Sequence, residues 1–317
     1  MIRGHVINKM SNKYSYSKIN LYEDCPFKYK LQYVDGNYVY IGSIATEFGT
    51  AIHECEEAIA KCIQSNMPIN YVQIKNDFIL KCIDLQIKYP NDFYTEDNKS
   101  YRNYKDKMYY YLEHGIYRLE NFMREHPTYQ IVGVEQKFSF DFDEQHQFSG
   151  AIDRIFYDTQ YNNYIIHDIK SWAVEAKEED LKTPLQFVVY SLALKNIFNC
   201  SLDDVSCEYD LPLVDKIQPG GTSGYISRGI NKINKLFTEI SSEDYTPHPT
   251  PLCNYCNFCR TNPDAIEPYK NLCPYYCLWE RSTRIKSDCG KVENKWEGLE
   301  NHSKIYEEFL NKYDIII

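Results

Sequence analysis

The sequence predicts a mixed α/β (α+β) fold from three observations: apolar spacing that changes period partway along the chain, a helical stretch enclosed between β segments, and a cysteine-rich end. Ser17 to Tyr33 reads as a helix, a break at Cys25-Pro26 and a second helical turn, because proline disfavours the α conformation of the residue before it. From Phe48 to Ile63, the residues Ile52, Cys55, Ile59, Cys62 and Ile63 recur at helical spacing and form one buried stripe. Helices over 70–88 and 101–125 complete an α-rich part that ends at His126-Pro127. The period then becomes two. Val132, Val134, Phe138, Phe140 and Phe142 share one parity of a strand, residues around Ile152 and Ile155 form a second, and Tyr164 to Trp172 form a third after the turn-prone Asn162-Asn163. Residues 130–172 are therefore expected to be an antiparallel meander. A helix over 179–198 striped by Leu185, Val188, Val189 and Leu192 follows, then a strand over 205–213, a helix over 227–240 and a polar helix near 293–312.

The 317 residues are 25% charged and 43% hydrophobic, without a run of apolar residues long enough for a transmembrane helix, which excludes a disordered chain and a helical membrane protein. The first residues lack an apolar stretch with a cleavage site, so a cytoplasmic location is expected. The length suits one elaborated domain with four regions: 15–45 carrying Cys25, a helical part at 46–128, a sheet core at 129–215, and a helix with the cysteine cluster at 216–317. A net charge of −10 argues against coating nucleic acid by bulk electrostatics, although residues 1–40 and 281–295 are locally basic. Thirty tyrosines supply faces on which unpaired bases can stack.

The third strand carries the most informative residues. Asp168 and Lys170 share one parity, so they leave the same face roughly 6–7 Å apart along the strand. A carboxylate and an ammonium so placed can serve one metal-bound substrate, the first holding the ion and the second polarising water or offsetting charge. A hairpin through Asn162-Asn163 brings Asp153 toward Asp168, and two carboxylates meeting at a sheet end call for a cation such as Mg²⁺ or Mn²⁺; otherwise Asp153 would pair with Arg154 or another surface cation. Glu135 either reaches the same pocket or faces water. His53 flanks the helical stripe, where a packed histidine and a ligand are both readings. Gln186 and Tyr190, four apart, share a helix face from which they can contact substrate or brace Lys170.

The order His53, Glu135, Asp153, Asp168-x-Lys170, Gln186-x3-Tyr190, framed by Cys25-Pro26 and the late cysteines, resembles the PD-(D/E)XK nuclease superfamily. More narrowly it resembles the RecB-like branch, which includes the RecB and AddB nuclease domains, CRISPR-associated RecB-like exonucleases and many phage exonucleases. The resemblance spans Ser15 to about Cys273, and 70–125 matches none of its motifs. It implies a restriction-endonuclease-like central mixed sheet flanked by helices. It further implies that His53, Asp153, Asp168 and the Ile169 carbonyl bind the divalent ion, that Lys170 acts in catalysis, that Gln186 and Tyr190 shape the site and contact DNA, and that Glu135 adds an acidic position. The implied chemistry is metal-assisted hydrolysis of DNA, most simply by an exonuclease on single strands or frayed ends, with a recombination or helicase partner. A non-catalytic end-binding subunit and a CRISPR-adaptation nuclease are the alternatives.

Twelve cysteines, six of them between Cys253 and Cys289, point to metal rather than disulfides in a reducing compartment. In cluster-bearing members of that branch, one cysteine before the nuclease motifs and three after them hold a [4Fe–4S] cluster. By that resemblance Cys25, Cys253 and Cys256 with either Cys259 or Cys273 are the expected ligands. A structural Zn²⁺ held by Cys253, Cys256, Cys273 and Cys277 is the rival. Cys55, Cys62 and Cys82 are expected to behave as small buried hydrophobes.

Overall fold

The computed structural model describes residues 12–39, 42–96, 102–177, 181–222, 224–248, 250–259, 262 and 265–273. Its elements run β1 (Asn12–Tyr14), α1 (Tyr16–Asp24), α2 (Pro26–Tyr29), a π-helical turn (Lys30–Val34), α3 (Ile44–Gln64), α4 (Tyr71–Lys88), α5 (Pro90–Tyr94), α6 (Tyr104–Glu113) and α7 (Arg118–Glu125). The chain then forms β2 (Tyr129–Asp141), β3 (His146–Asp158), β4 (Asn163–Ile169), α8 (Leu185–Phe198), β5 (Val205–Leu211), β6 (Lys216–Pro219) and α9 (Tyr225–Ser241). This is the expected mixed α/β fold. Two compact units divide it, 1–20 with 42–239 and 21–41 with 240–317.

The first unit holds a mixed sheet. β2, β3 and β4 form the expected antiparallel meander, and β3 also pairs in parallel with the short β1. β4 lies parallel to β5, the connection running through α8, and β6 adds an antiparallel edge. Strands this short leave no alternation to read, which is why β1 and β6 escape sequence analysis. Helix α3 begins at a capping box in which Ser43 and Thr46 satisfy each other's backbone N–H. Its stripe of Ile44, Phe48, Ile52, Cys55 and Ile59 packs with Phe78 and Cys82 of α4, Tyr111 of α6, and Phe156, Ile165 and Ile169 of the sheet.

Three departures from the sequence expectations have physical causes. The helix read over 101–125 breaks between α6 and α7, where Gly115 lets the chain pass close to β5: a Cβ there would sit 2.8 Å from the Pro212 carbonyl oxygen. α8 begins at Leu185 rather than 179 because Pro184 occupies its N-cap in an extended conformation. The stripe from Val132 to Phe142 is not one face. A bulge shifts the β2–β3 register between Ile131 and Gly133, and Glu135 adopts a left-handed backbone (φ 47°), so the buried set is Ile131 and Gly133 before the irregularity and Phe138 and Phe140 after it. Cys55 and Cys82 are buried hydrophobes as expected, whereas Cys62 is half-buried.

Gly150 leaves space beside the β3 backbone, and the ring of its cross-strand partner Phe138 fills it; a Cβ on Gly150 would lie 2.8 Å from Phe138 Cζ. Phe138 packs edge-on against Tyr190 of α8 (5.9 Å). Gly150→Ala is expected to cost about 1–3 kcal/mol through this overpacking, read as a lower denaturant midpoint at unchanged slope.

In the second unit, Tyr22 donates from its hydroxyl to the Asp244 carbonyl (2.6 Å), His248 hydrogen-bonds the Glu23 carbonyl (3.3 Å) and Asn257 donates to the Val39 carbonyl (3.0 Å). These bonds join the early segment to the late one. The helix expected near 293–312, with Cys277 and Cys289, lies outside the described residues.

Candidate active site

The site forms where β3 and β4 end. Arg154 pairs with His167 across the ladder, so alternation sends their side chains to one face and those of the adjacent Asp153 and Asp168 to the other. Asp153 Oδ2 accepts the Ile169 backbone N–H at 2.7 Å, tying the acidic residue of β3 to the end of β4. The Lys170 ammonium lies 2.7 Å from the buried Asp168 Oδ2.

Gln186 joins the two. Its amide nitrogen donates to Asp168 Oδ1 (2.9 Å) and to the Tyr190 hydroxyl (2.9 Å), and its carbonyl oxygen accepts from Lys170 Nζ (3.1 Å). With acceptors on one end and a donor on the other, only one orientation of the amide satisfies all three partners. Of the two roles read for Gln186, bracing Lys170 is the one visible in these contacts.

From α3, His53 Nδ1 approaches Asp153 Oδ2 at 3.7 Å. One ligand atom each from His53, Glu135 and Asp153 all lie within 4.8 Å of one another. The left-handed backbone at Glu135, an uncommon conformation for a residue with a Cβ, sits where the side chain joins this group. The structure thus brings His53, Glu135, Asp153, Asp168, Lys170, Gln186 and Tyr190 to one place, beside a cleft of about 1290 Å³.

Burial dominates the electrostatics. It raises Asp153 to about 6, opposed by the Ile169 N–H and Lys170 and reinforced by Glu135. It raises Asp168 to about 6 as well, opposed by Lys170 and reinforced by Asp153. Glu135 is pushed up by burial and by Glu57. His53 is pushed down by burial despite the nearby Asp168, which leaves its imidazole neutral and its lone pair available near pH 7. Carboxyls kept partly protonated by mutual proximity and desolvation are relieved when a cation enters. The Glu135 and Asp153 carboxylates and a neutral His53 imidazole, gathered this closely, fit a divalent ion. Mn²⁺ affinity is accordingly expected to rise steeply between about pH 5 and 7, as protons that compete for Asp153 and Asp168 leave; titration at several pH values measures it.

The opposite face carries a network that sequence analysis missed. Arg154 (1% exposed) donates to Glu56 of α3 (2.9 Å) and to Asp210 of β5 (3.2 Å). Arg118 donates to Asp210 (2.7 Å), and Tyr111 donates to Glu56 (2.9 Å). His167 hydrogen-bonds Glu208 at 2.8 Å. The Asp210 backbone in turn accepts the Lys170 N–H (2.8 Å). The lone signal in the sequence was a run of charged residues in β-type segments, which reads equally well as a solvated edge.

Cys25, Cys253, Cys256, Cys259 and Cys273 all fall within the second unit. Burial raises the Cys253 thiol and raises Cys256 to about 11, with Cys259 and Cys25 close enough to add to both. The Cys273 N–H donates to the Phe258 carbonyl (2.9 Å), next to Cys259.

A mixed sheet flanked by helices, with an acidic group suited to a divalent ion beside its cleft, is the architecture of metal-dependent nucleases. The profile of the PD-(D/E)XK nuclease superfamily matches residues 13–261, most of the chain, and the chain belongs to that superfamily. The family implies a metal-dependent nuclease with DNA as substrate. No curated protein matches the chain at a significant level. Among the described residues, no helix is long and apolar enough to cross a membrane.

Proposed function

We propose that this nuclease is a RecB-like exonuclease that hydrolyses DNA from single-stranded or frayed ends with Mg²⁺ or Mn²⁺. The observation that carries the reading is the convergence of Asp168, Lys170 and Gln186 in one hydrogen-bonded group with Asp153 anchored alongside. His53, Asp153, Asp168 and the Ile169 carbonyl would hold the ion, Glu135 adding negative charge; bound there, it supplies Lewis acidity toward the phosphate and a more acidic water. The imidazole favours Mn²⁺ over Mg²⁺ as the tighter ligand. Lys170 holds positive charge where the phosphate's charge grows, and Gln186 keeps that ammonium from swinging toward solvent. Tyr190, its hydroxyl accepting from Gln186, fixes the amide.

In the second unit we infer a [4Fe–4S] cluster on Cys25, Cys253, Cys256 and either Cys259 or Cys273; Cys25 and Cys259 lie close enough to Cys253 and Cys256 to raise both thiols. Anaerobic preparations should show charge-transfer absorbance; stoichiometric zinc without it would assign the site to Zn²⁺. For the nuclease itself, end-labelled linear and circular DNA, single- and double-stranded, is incubated with Mg²⁺, Mn²⁺ or chelator. Products from linear but not circular DNA, dependent on metal, are expected; cleavage of closed circles would exclude an exonuclease.

A further inference from the structure

The cleft beside the carboxylates is walled by residues outside the nuclease motifs. Tyr104 and Lys107 come from α6, and Trp172 comes from the segment that follows Lys170. We propose that Tyr104, Lys107 and Trp172 form a subsite for one unpaired nucleotide adjacent to the scissile phosphate, the base stacking on Trp172 and the backbone phosphate meeting Lys107. The inference rests on the nuclease reading above and adds what the cleft selects.

Trp172 follows Lys170 by two residues, so its backbone lies within about 7 Å of the lysine's. The indole rests against Tyr209 (5.5 Å, 42°) and is 39% exposed, so one side is braced while the ring still lines the cleft. Its segment is pinned rather than loose. The Ala176 N–H donates to Gln218 of β6 (2.7 Å), Gln218 reaches Glu175 (3.4 Å), and Lys216 pairs with Glu175 (3.8 Å). Lys107, 5% exposed, carries its ammonium over the Tyr104 ring at 4.4 Å, and that ring packs edge-on against Phe48 (5.3 Å). An ammonium held over an aromatic face is fixed in position.

Charge explains why stacking is needed. Glu54, Glu57, Glu135, Asp153 and Glu175 line the cleft, against Lys107 and Lys177. So acidic a wall repels a polyanion, and beyond the contact with Lys107, base–aromatic stacking, which salt does not screen, is the attraction left to an unpaired strand. A paired base, its faces already stacked on neighbours, gains nothing there.

The test measures binding by fluorescence anisotropy of a labelled oligothymidylate in chelator, where cleavage does not occur. The wild-type protein should bind it about 5- to 150-fold more tightly than the same strand carrying abasic nucleotides at its end. Trp172→Ala should erase that difference, Trp172→Phe should keep most of it, and Lys107→Gln should reduce the slope of log affinity against log salt by about 0.7. Equal wild-type affinity for the two strands overturns the subsite, and that comparison needs no variant to fold. If the wild-type protein still cuts DNA with metal, the nuclease reading survives that result; if it discriminates the abasic strand but never cuts, the subsite stands and the nuclease reading falls.

Discussion

Asp168→Ala and Lys170→Ala are each expected to slow metal-dependent DNA cleavage by about a thousandfold, with the folded state retained. The two side chains act as one device. Asp168 is buried, and the ammonium 2.7 Å away is what keeps its carboxyl from rising further above about 6. On the proposed mechanism, removing the lysine therefore costs twice, through the lost positive charge at the phosphate and through an Asp168 that holds its proton to higher pH. The second effect has a signature: in Lys170→Ala, residual cleavage and Mn²⁺ binding should both appear at higher pH than in the wild type. Lys170→Arg should restore the lower onset while recovering only part of the rate, since the guanidinium keeps the charge but not the point geometry that Gln186 holds. Groups that work as a unit are not additive, so the Asp168→Ala, Lys170→Ala double variant should be barely slower than either single one. Rates that multiply would show that the two residues act independently.

How much of this was legible in the sequence follows from the range of the interactions involved. The parity of Asp168 and Lys170 is local: β4 ends at Ile169, and the Lys170 N–H bond to the Asp210 carbonyl carries the pairing one residue further. The approach of Asp153 needed only a hairpin, and Asn162, with its left-handed backbone (φ 54°), supplied the turn. Gln186 and Tyr190 were legible as a helical pair, though the amide's threefold engagement depends on α8 packing against the end of β4. Glu135 and His53 could not be decided. The first depends on a left-handed residue within a strand, and the second on where α3 lies relative to β3, which no periodicity encodes. Arg154 was read as at most a partner for Asp153. In the structure it leaves the other face, because successive strand residues alternate, and it finds Glu56 and Asp210 from elements 98 and 56 residues away in the chain.

That distant pairing makes Arg154→Met the substitution with the largest expected effect on stability. Arg154, Glu56 and Asp210 are each at most 3% exposed, so the variant strands two carboxylates without their shared cation. Removing one member of a buried ion group costs about 3–5 kcal/mol, chiefly as the penalty of the charge left behind. Asp210 keeps Arg118, and the greater burden falls on Glu56, which keeps the hydrogen bond from the Tyr111 hydroxyl. Burial already pushes Glu56 above its ordinary value and Arg154 opposes that push, so the variant's Glu56 rises further. A carboxyl whose folded pKa exceeds its unfolded one binds a proton on folding, and stability then falls as pH rises above the unfolded value of about 4.3. The deficit of Arg154→Met should accordingly be smaller at pH 5 than at pH 8 by urea denaturation. Adding Glu56→Gln should recover part of it, most at the higher pH, because glutamine carries no charge to desolvate and still accepts from Tyr111. A deficit equal at both pH values, unmoved by the second substitution, would mean that Arg154 contributes through the packing of its side chain rather than by neutralising Glu56.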